Sequence, residues 1–227
     1  MSKLYNFRWG PYPRRVAIYL AEKGIADIEQ IDVEFPHRPE LWPSNFLLNL
    51  NPAHSLPVLE AGDGIRIGQS TAILEYLEET GVGPDMLGKT PAERALTREF
   101  VSIFDEATSF FGLWARQGSR VNADRHPSDA KAASFGAERF ASKLHVAEAK
   151  LVGPFLGGAA ITIADCVAMA LIEFADQFYG VTLPADCPKL IQWYSRMSTR
   201  ASTQAPNYPP DMLALARGLP EQTQIFI

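Results

Sequence analysis

A proline-rich stretch near the N-terminus has residue types that could hold a negatively charged atom. Residues 10–13 read G-P-Y-P and open an amphipathic helix, and Arg14 and Arg15 follow directly. The unpaired N–H groups of a first helical turn, with the positive end of the helix dipole, favour an anion such as a thiolate. A proline-rich helix start with two solvated arginines is the plainer interpretation. The stretch alone leaves both open.

A second stretch, S-L-P-V-L at 55–59, places a proline at the start of an apolar strand. Proline cannot donate to the strand ladder, so it belongs at an edge or at a strand start. The bond before a proline is also one whose cis form costs only about 0.5–1 kcal/mol. A cis bond between Leu56 and Pro57 would turn the backbone N–H and C=O of Leu56 outward, toward an extended, peptide-like ligand. A trans proline at a strand start is the alternative.

Two helix starts carry capping residues. Ser70 follows Gln69 directly after a predicted strand, and serine is a preferred N-cap. The same N–H groups and hydroxyl could instead hold a carboxylate. Thr162 and Asp165 have the spacing of a capping box, with Asp in place of the usual Glu, and we interpret this pair as structural.

The elements that would position these residues follow from the periodicity of the first 80 residues, which predicts the order β-α-β-α-β-β-α. Strands are expected at 3–7, 28–35, 55–60 and 65–68, and helices at 13–24, through Phe46 and Leu48, and from Ser70 to near Gly81. A proline-rich stretch at 36–43 precedes the second helix. A β-α-β start implies a parallel pair, and the D-G turn between the last two strands implies an antiparallel hairpin. The pattern therefore predicts a mixed sheet packed against helices.

The rest of the chain has a helical pattern. Residues 81–91 are rich in Gly and Pro and predict a linker between residues 1–80 and residues 92–227. Further helices are expected at 92–117, 129–151, 162–179 and 187–199, and the proline-containing tail from 205 is expected to lie along the surface.

Charge and cysteine content restrict the function classes. The 26 acidic and 21 basic residues give a net charge of −5, which disfavours nucleic-acid binding through phosphates. No apolar stretch approaches the roughly 18–20 residues of a membrane span, and the N-terminus is too short an apolar run for a secretory signal. Cys166 and Cys187 form no C-x-x-C motif. These features favour a reduced, cytoplasmic protein without a metal, nucleic-acid or membrane partner.

Five motifs in this order resemble the cytosolic glutathione S-transferase family over nearly the whole chain. They are L-Y-N-F at 4–7, R-R-V-A-I-Y-L-A-E-K-G-I at 14–25, L-N-P-A-H-S-L-P-V-L-E at 50–60, I-G-Q-S-T-A-I-L-E-Y-L at 67–77 and I-T-I-A-D at 161–165. The resemblance implies an α+β/α fold class: a thioredoxin-like N-terminal domain with a mixed sheet, followed by an all-α C-terminal domain. It also implies glutathione as co-substrate and a homodimer.

The resemblance assigns most of the glutathione contacts to the stretches already described. It implies a cis Leu56–Pro57 bond, with the Leu56 backbone pairing to the cysteinyl part of glutathione. Ser70 and Gln69 match the pair that grips the γ-glutamyl end, although most members have Glu where this chain has Gln69. Asp105 stands where many members offer an acid across the dimer interface, and it either restores that charge or is simply a solvated helix position. Ser55 stands where Lys is common, which predicts a looser grip on the glycyl carboxylate.

The chain departs from the family pattern at the residue that activates the thiol. Asn6 occupies the usual Tyr position, and Gly10 occupies the usual Ser or Cys position. The remaining candidates to stabilise a thiolate are the backbone N–H or the phenol of Tyr12, the Asn6 amide and Arg14. Pro11 lies beside them in the sulfur-binding corner but has no N–H to donate.

The resemblance also places an electrophile pocket between the domains, with five candidate lining residues: Trp9, Phe110, Phe111, Trp114 and Arg116. Core packing of the Phe and Trp stripe is the alternative. Three functions follow as hypotheses. The protein adds the thiolate of glutathione to a small apolar electrophile, reduces disulfides with glutathione, or binds ligands as a non-catalytic scaffold.

Overall fold

The computed structural model describes residues 2–33, 46–123 and 127–219. Its N-terminal part contains four strands, β1 (Lys3–Asn6), β2 (Glu29–Asp32), β3 (Val58–Glu60) and β4 (Arg66–Ile67), and three helices, α1 (Pro11–Lys23), α2 (Phe46–Leu50) and α3 (Ser70–Glu79). The predicted order of elements is confirmed, although every strand except β1 is at least two residues shorter than expected. The predicted proline-rich stretch at 36–43 lies outside the described residues.

The sheet is mixed, as predicted, with strand order β2-β1-β3-β4. β1 pairs in parallel with β2 and antiparallel with β3, and β3 pairs antiparallel with β4. The parallel pair is joined through α1, whose apolar face supplies Val16, Ile18 and Tyr19 to the core. α1 ends where the sequence predicts, with Lys23 in its last turn and Gly24 after it in the left-handed conformation typical of helix ends.

The C-terminal part is helical. Its helices are α4 (Pro91–Gly118), α5 (Ala130–Lys150), α6 (Ile163–Glu173), α7 (Pro188–Ser198) and α8 (Pro210–Ala216), with short 3-10 turns at Arg120–Asn122 and Ala201–Thr203. The third predicted helix is not α-helical to its end, because α6 passes into a π-helical turn at Phe174–Tyr179. The tail is also more regular than expected, since α8 forms within it after Pro209. Among the described residues, no helix is both long and apolar enough to cross a bilayer.

Helix α6 lies at the centre of the molecule and contacts both α1 and α4. All its residues are buried, and the predicted capping box fixes its start. Asp165 accepts hydrogen bonds from the Thr162 N–H (2.8 Å), the Leu156 N–H (2.9 Å) and Trp193 Nε1 (2.7 Å). This buried carboxylate therefore ties α6 to α7, and α6 in turn supports the helix whose N-terminus carries the G-P-Y-P stretch.

Candidate functional site

The start of α1 leaves little room for a side chain at position 10. Gly10 is the N-cap residue with ordinary extended backbone (φ −90°, ψ 141°), so its backbone conformation does not require glycine. A Cβ atom placed there would lie 3.2 Å from Phe7 Cδ1 and 3.2 Å from Pro13 Cδ, both tighter than usual contacts. A side chain at position 10 would therefore require Phe7 or Pro13 to shift by a few tenths of an ångström.

One backbone donor in the first turn of α1 has no acceptor within the described part of the chain. The Gly10 N–H donates to the Phe7 carbonyl (3.1 Å), and Pro11 and Pro13 have no N–H. The Tyr12 N–H makes no hydrogen bond to any residue that the structure describes. The Tyr12 ring is 39% exposed and lies against Arg15, whose Cζ is 4.9 Å from the ring centroid. At this helix end the Tyr12 ring therefore packs against Arg15, whereas the Tyr12 N–H has no acceptor among the described residues.

Arg14 is directed into the protein. Its Nε and Nη2 donate to Glu173 Oε2 at 3.1 and 2.9 Å, and Nη2 also donates to the Gln204 carbonyl at 2.6 Å. Burial raises the pKa of the Glu173 carboxyl, whereas the Arg14 hydrogen bonds and charge, with a hydrogen bond from Tyr208, oppose that rise. The guanidinium of Arg14 therefore joins α1 to α6 and to the tail.

Arg15 is fully buried, so the interpretation of two solvated arginines is wrong. Arg15 Nη1 forms an ion pair with Asp105, and Asp105 Oδ2 accepts a hydrogen bond from Thr71 Oγ1 (3.1 Å). Asp105 is therefore not simply a solvated helix position, because it lies beside the start of α3 within its own chain. No local pattern in the sequence indicates that Arg15 meets an acid 90 residues away.

The loop before β3 presents an unpaired backbone segment. The Leu56–Pro57 bond is cis, as the resemblance implies. The N–H and C=O of Leu56 make no hydrogen bond within the described part of the chain. Asn51 shapes this loop, because its Nδ2 donates to the Ser55 carbonyl (2.9 Å) and to Ser55 Oγ (3.1 Å). The sequence did not predict this role for Asn51. The Asn-Pro pair at 51–52, which is typical of turns, is the one sequence feature that indicates a turn here.

The start of α3 offers a group of unpaired donors. Gln69, not Ser70, is the N-cap residue, and its exposed side chain makes no capping hydrogen bond. Ser70 is the first helical residue and is buried. The first internal bond of the helix is from the Ile73 N–H to the Gln69 carbonyl (2.9 Å). The N–H groups of residues 70–72 have no acceptor among the described residues, which is the geometry of a carboxylate-binding helix end.

Asn6 ends β1 in a buried position. It is 5% exposed and stands opposite Asp32 in the parallel pair. Its Oδ1 atom is buried without a hydrogen-bond partner among the described residues. Since an unpaired buried amide is costly, Asn6 remains a candidate to bind a ligand group.

The five candidate pocket residues divide between the core and the surface. Phe111 and Trp114 are buried and belong to an aromatic cluster of the helical part, where Phe111 lies 5.1 Å from Phe140 and 5.3 Å from Tyr179. Core packing, the alternative interpretation of this stripe, therefore describes both side chains. Arg116 is exposed.

The remaining two aromatic candidates have different neighbours. Phe110 faces α5, with its ring 6.2 Å from that of Phe135. Trp9 contacts the tail, because its Nε1 donates to the Asn207 carbonyl (3.1 Å). With the bond between Arg14 and Gln204, this places the segment 204–209 beside the start of α1. The sequence had indicated only a surface tail there.

Comparison with known proteins identifies similar chains. The models for the glutathione S-transferase N-terminal and C-terminal domains match residues 9–80 and 119–201. Glutathione S-transferase F10 of Arabidopsis thaliana is 31% identical over 196 residues, 83% of this chain and 88% of that protein. FtsZ-localized protein A of Caulobacter vibrioides is 31% identical over 205 residues, 87% and 86% of the two chains. The crystal structure of Gtt2 from Saccharomyces cerevisiae superposes with a TM-score of 0.77 at 25% identity, covering 89% of this chain and 98% of that one.

Proposed function

Because the chain belongs to the glutathione S-transferase family, we propose that it binds glutathione and adds the glutathione thiolate to a small apolar electrophile. In this proposal residues 1–80 form the glutathione-binding domain, 81–91 the linker and 92–227 the helical domain. The Tyr12 N–H at the start of α1, which has no acceptor among the residues that the structure describes, is the observation that carries the proposal.

The tripeptide would lie across the Leu56 backbone, the start of α3 and Ser55. The backbone of Leu56 pairs with the cysteinyl residue of glutathione, since both of its polar groups are unbonded within the described residues. The start of α3 and the Ser70 hydroxyl hold the γ-glutamyl carboxylate, and the Gln69 amide lies beside them. Asp105 supports this end through its hydrogen bond with Thr71. Ser55, bonded to Asn51, lies at the glycyl end.

The sulfur would be placed at the start of α1, beside Gly10 and Pro11. A free thiol has a pKa near 8.5 and is mostly protonated at neutral pH. A hydrogen bond to a charged group contributes about 1.5–3 kcal/mol, which is enough to lower that pKa by roughly one to two units. The thiol proton goes to solvent, the sulfur lone pair forms the bond to the electrophilic carbon, and the leaving group departs with its bonding electrons. The Tyr12 N–H is our first candidate for this hydrogen bond, with the Asn6 amide and the Tyr12 phenol as the others.

The electrophile would approach between α4 and the tail. Trp9, bonded to Asn207, would form one wall, and Arg116 is an exposed candidate on α4. Phe110, Phe111 and Trp114 pack against other rings of the helical part, so in this proposal they stabilise the helical domain rather than contact the substrate.

The protein would act as a homodimer in the cytoplasm. The dimer rests on family membership, and light scattering of the purified chain tests it. Both cysteines are free and buried, which suits a reducing compartment.

Two acceptor substrates and an affinity resin test the proposed reaction. We expect glutathione-dependent turnover of a haloarene above the uncatalysed rate. Turnover of a glutathionyl mixed disulfide alone would instead identify a reductase, in which bound thiolate attacks the disulfide. No turnover of either substrate, with no retention on immobilised glutathione, would overturn both catalytic functions.

A binding function without catalysis is the second candidate. Two observations favour it: the family hydroxyl is absent at both Asn6 and Gly10, and FtsZ-localized protein A is among the most similar relatives. A chain of this class would bind a protein partner through its surface. The resin and turnover experiments above separate this function from the first one.

Substitutions at the start of α3 test the γ-glutamyl site. Ser70→Ala removes a hydroxyl that would bond a carboxylate, and we expect glutathione affinity to fall roughly tenfold, about 1.4 kcal/mol. Gln69→Glu adds a charge for the γ-glutamyl ammonium, but the position is exposed, so we expect a gain of at most about fivefold. Isothermal titration with glutathione measures both.

Ser102→Ala is the matched control, because Ser102 lies on α4 and donates to the Arg98 carbonyl (3.0 Å). The glutathione affinity of Ser102→Ala should equal that of the unmodified protein. Equal affinities for Ser70→Ala and Ser102→Ala would place the γ-glutamyl group elsewhere.

A further inference from the structure

Three potential metal ligands meet where α5 passes the start of α7. His145 lies on α5, and Asp186 and Cys187 directly precede α7. His145 Nε2 is 3.0 Å from Asp186 Oδ2. One ligand atom from each of the three residues, including Cys187 Sγ, lies within 4.8 Å of the other two.

The backbone around the cluster is fixed by the buried Cys187 and by two hydrogen bonds from the first turn of α7 to α5, one exposed and one part-buried. Cys187 is the N-cap residue of α7 and is fully buried. Glu148, on α5 one turn after His145, accepts hydrogen bonds from the Lys189 N–H (3.1 Å) and the Leu190 N–H (2.8 Å). These bonds hold the first turn of α7 against α5. The distance between His145 and the other two ligands is therefore set by the packing of two helices.

The donor set suits zinc. Imidazole nitrogen, carboxylate oxygen and thiolate sulfur are the three ligand types that Zn²⁺ uses in proteins, at about 2.0–2.3 Å from the ion. Three protein ligands with one open position are typical of zinc sites that keep a bound water. We propose that His145, Asp186 and Cys187 bind one Zn²⁺ ion through Nε2, a carboxylate oxygen and Sγ, with water as fourth ligand.

Space for that water is present beside the cluster. His145 and Asp186 line a cavity of about 470 Å³, whose other walls include the apolar side chains of Trp114, Phe140 and Leu144. Two of the three ligands thus face an open volume, which leaves room for a fourth ligand.

The charges around the thiol also suit a divalent cation. The Asp186 carboxylate lies within 4.8 Å of Cys187 Sγ, and the Glu148 carboxylate is bonded to the first turn of α7 beside it. Their negative charges attract Zn²⁺. On binding, the ion replaces the thiol proton, which passes to solvent. The carboxylate and the thiolate then neutralise the two positive charges of the ion.

Zinc titration of the untagged, chelator-treated full chain tests this site. We expect one Zn²⁺ per chain in competition with a chromophoric chelator. His145→Ala, a change at an exposed position, should weaken zinc binding at least about tenfold. Loss of a residue that only hydrogen-bonds to a metal ligand already weakens metal binding by about that factor. Cys187→Ser should weaken it similarly while keeping a favoured N-cap residue for α7.

Cobalt provides a readout specific for the thiolate. Co²⁺ in place of Zn²⁺ should give a sulfur-to-metal charge-transfer band that is lost in Cys187→Ser. The band should persist in Cys166→Ala, the matched control, since Cys166 is the other free buried cysteine. Absence of the band in the unmodified protein, or its persistence in Cys187→Ser, would overturn the proposal. Unchanged zinc affinity in His145→Ala would do the same.

Discussion

Replacing Tyr12 with proline is expected to lower the transfer rate at neutral pH roughly 10–100-fold, by raising the pKa of the bound glutathione thiol about one to two units. The substitution removes the only backbone N–H of the first turn of α1 that lacks an acceptor among the described residues. Proline is tolerated in a first helical turn, where its missing N–H breaks no internal bond. Pro11 and Pro13 already occupy the neighbouring positions. The effect should therefore fall on the ligand rather than on the fold.

Two matched variants separate the backbone of Tyr12 from its side chain. Tyr12→Phe removes the phenol alone, and Tyr12→Ala removes the whole ring that lies against Arg15. Both keep the N–H, so both should stay within a few-fold of the unmodified rate. A rate in Tyr12→Ala as low as that in Tyr12→Pro would assign the effect to the ring. A low rate in Tyr12→Phe would assign it to the hydroxyl.

Replacing Arg14 with leucine is expected to lower the free energy of unfolding by about 3 kcal/mol near neutral pH. The ion pair between Arg14 and Glu173 is largely buried, with side-chain exposures of 14% and 2%. Removing the arginine leaves a buried carboxylate without its charged partner. Equilibrium unfolding in urea, followed by circular dichroism, measures the loss.

The loss should grow with pH, because burial already raises the pKa of Glu173 and Arg14 opposes that rise. Without Arg14 the folded-state pKa moves further above the unfolded value. Between the two pKa values the folded chain holds a proton that the unfolded chain has released. Stability therefore falls as pH rises through this window. We expect a larger deficit at about pH 8 than at about pH 5.

Two control variants define the cause. Arg98→Leu breaks an exposed ion pair with Glu75 and should cost less than about 1 kcal/mol, with no comparable dependence on pH. Arg14→Leu combined with Glu173→Leu removes both charges and should recover most of the lost stability. A deficit in Arg14→Leu no larger than that in Arg98→Leu would contradict the structural role of Arg14.

Local chemistry explains what the sequence predicted correctly. The strands at β1 and β2, the end of α1 near Gly24 and the capping box at Thr162 and Asp165 each depend on residues close to one another in the chain. The order of strands and helices could be read from such signals. The four-stranded mixed sheet followed from that order.

Long-range contacts explain what the sequence did not predict. Neither interpretation of the Arg14–Arg15 stretch, an anion site or solvated arginines, placed Arg15 against Asp105, which lies on another helix 90 residues later. The described part of the tail lies on the surface as expected, but no sequence pattern indicated that Trp9 and Arg14 hold it beside α1. His145 and Asp186 are 41 residues apart, so their spacing gave no metal-binding motif. In each case the fold brings together two residues that are distant in the chain, and a pattern of neighbouring residues does not show such contacts.

The ultraviolet absorbance of the glutathione thiolate, titrated against pH in the complex with the protein, measures whether the start of α1 stabilises the sulfur. The Tyr12 N–H should lower the midpoint roughly one to two units below the free-thiol value near 8.5. Most of that shift should be lost in Tyr12→Pro and kept in Tyr12→Phe. A midpoint equal to that of free glutathione in the unmodified protein would contradict thiolate stabilisation at this helix end.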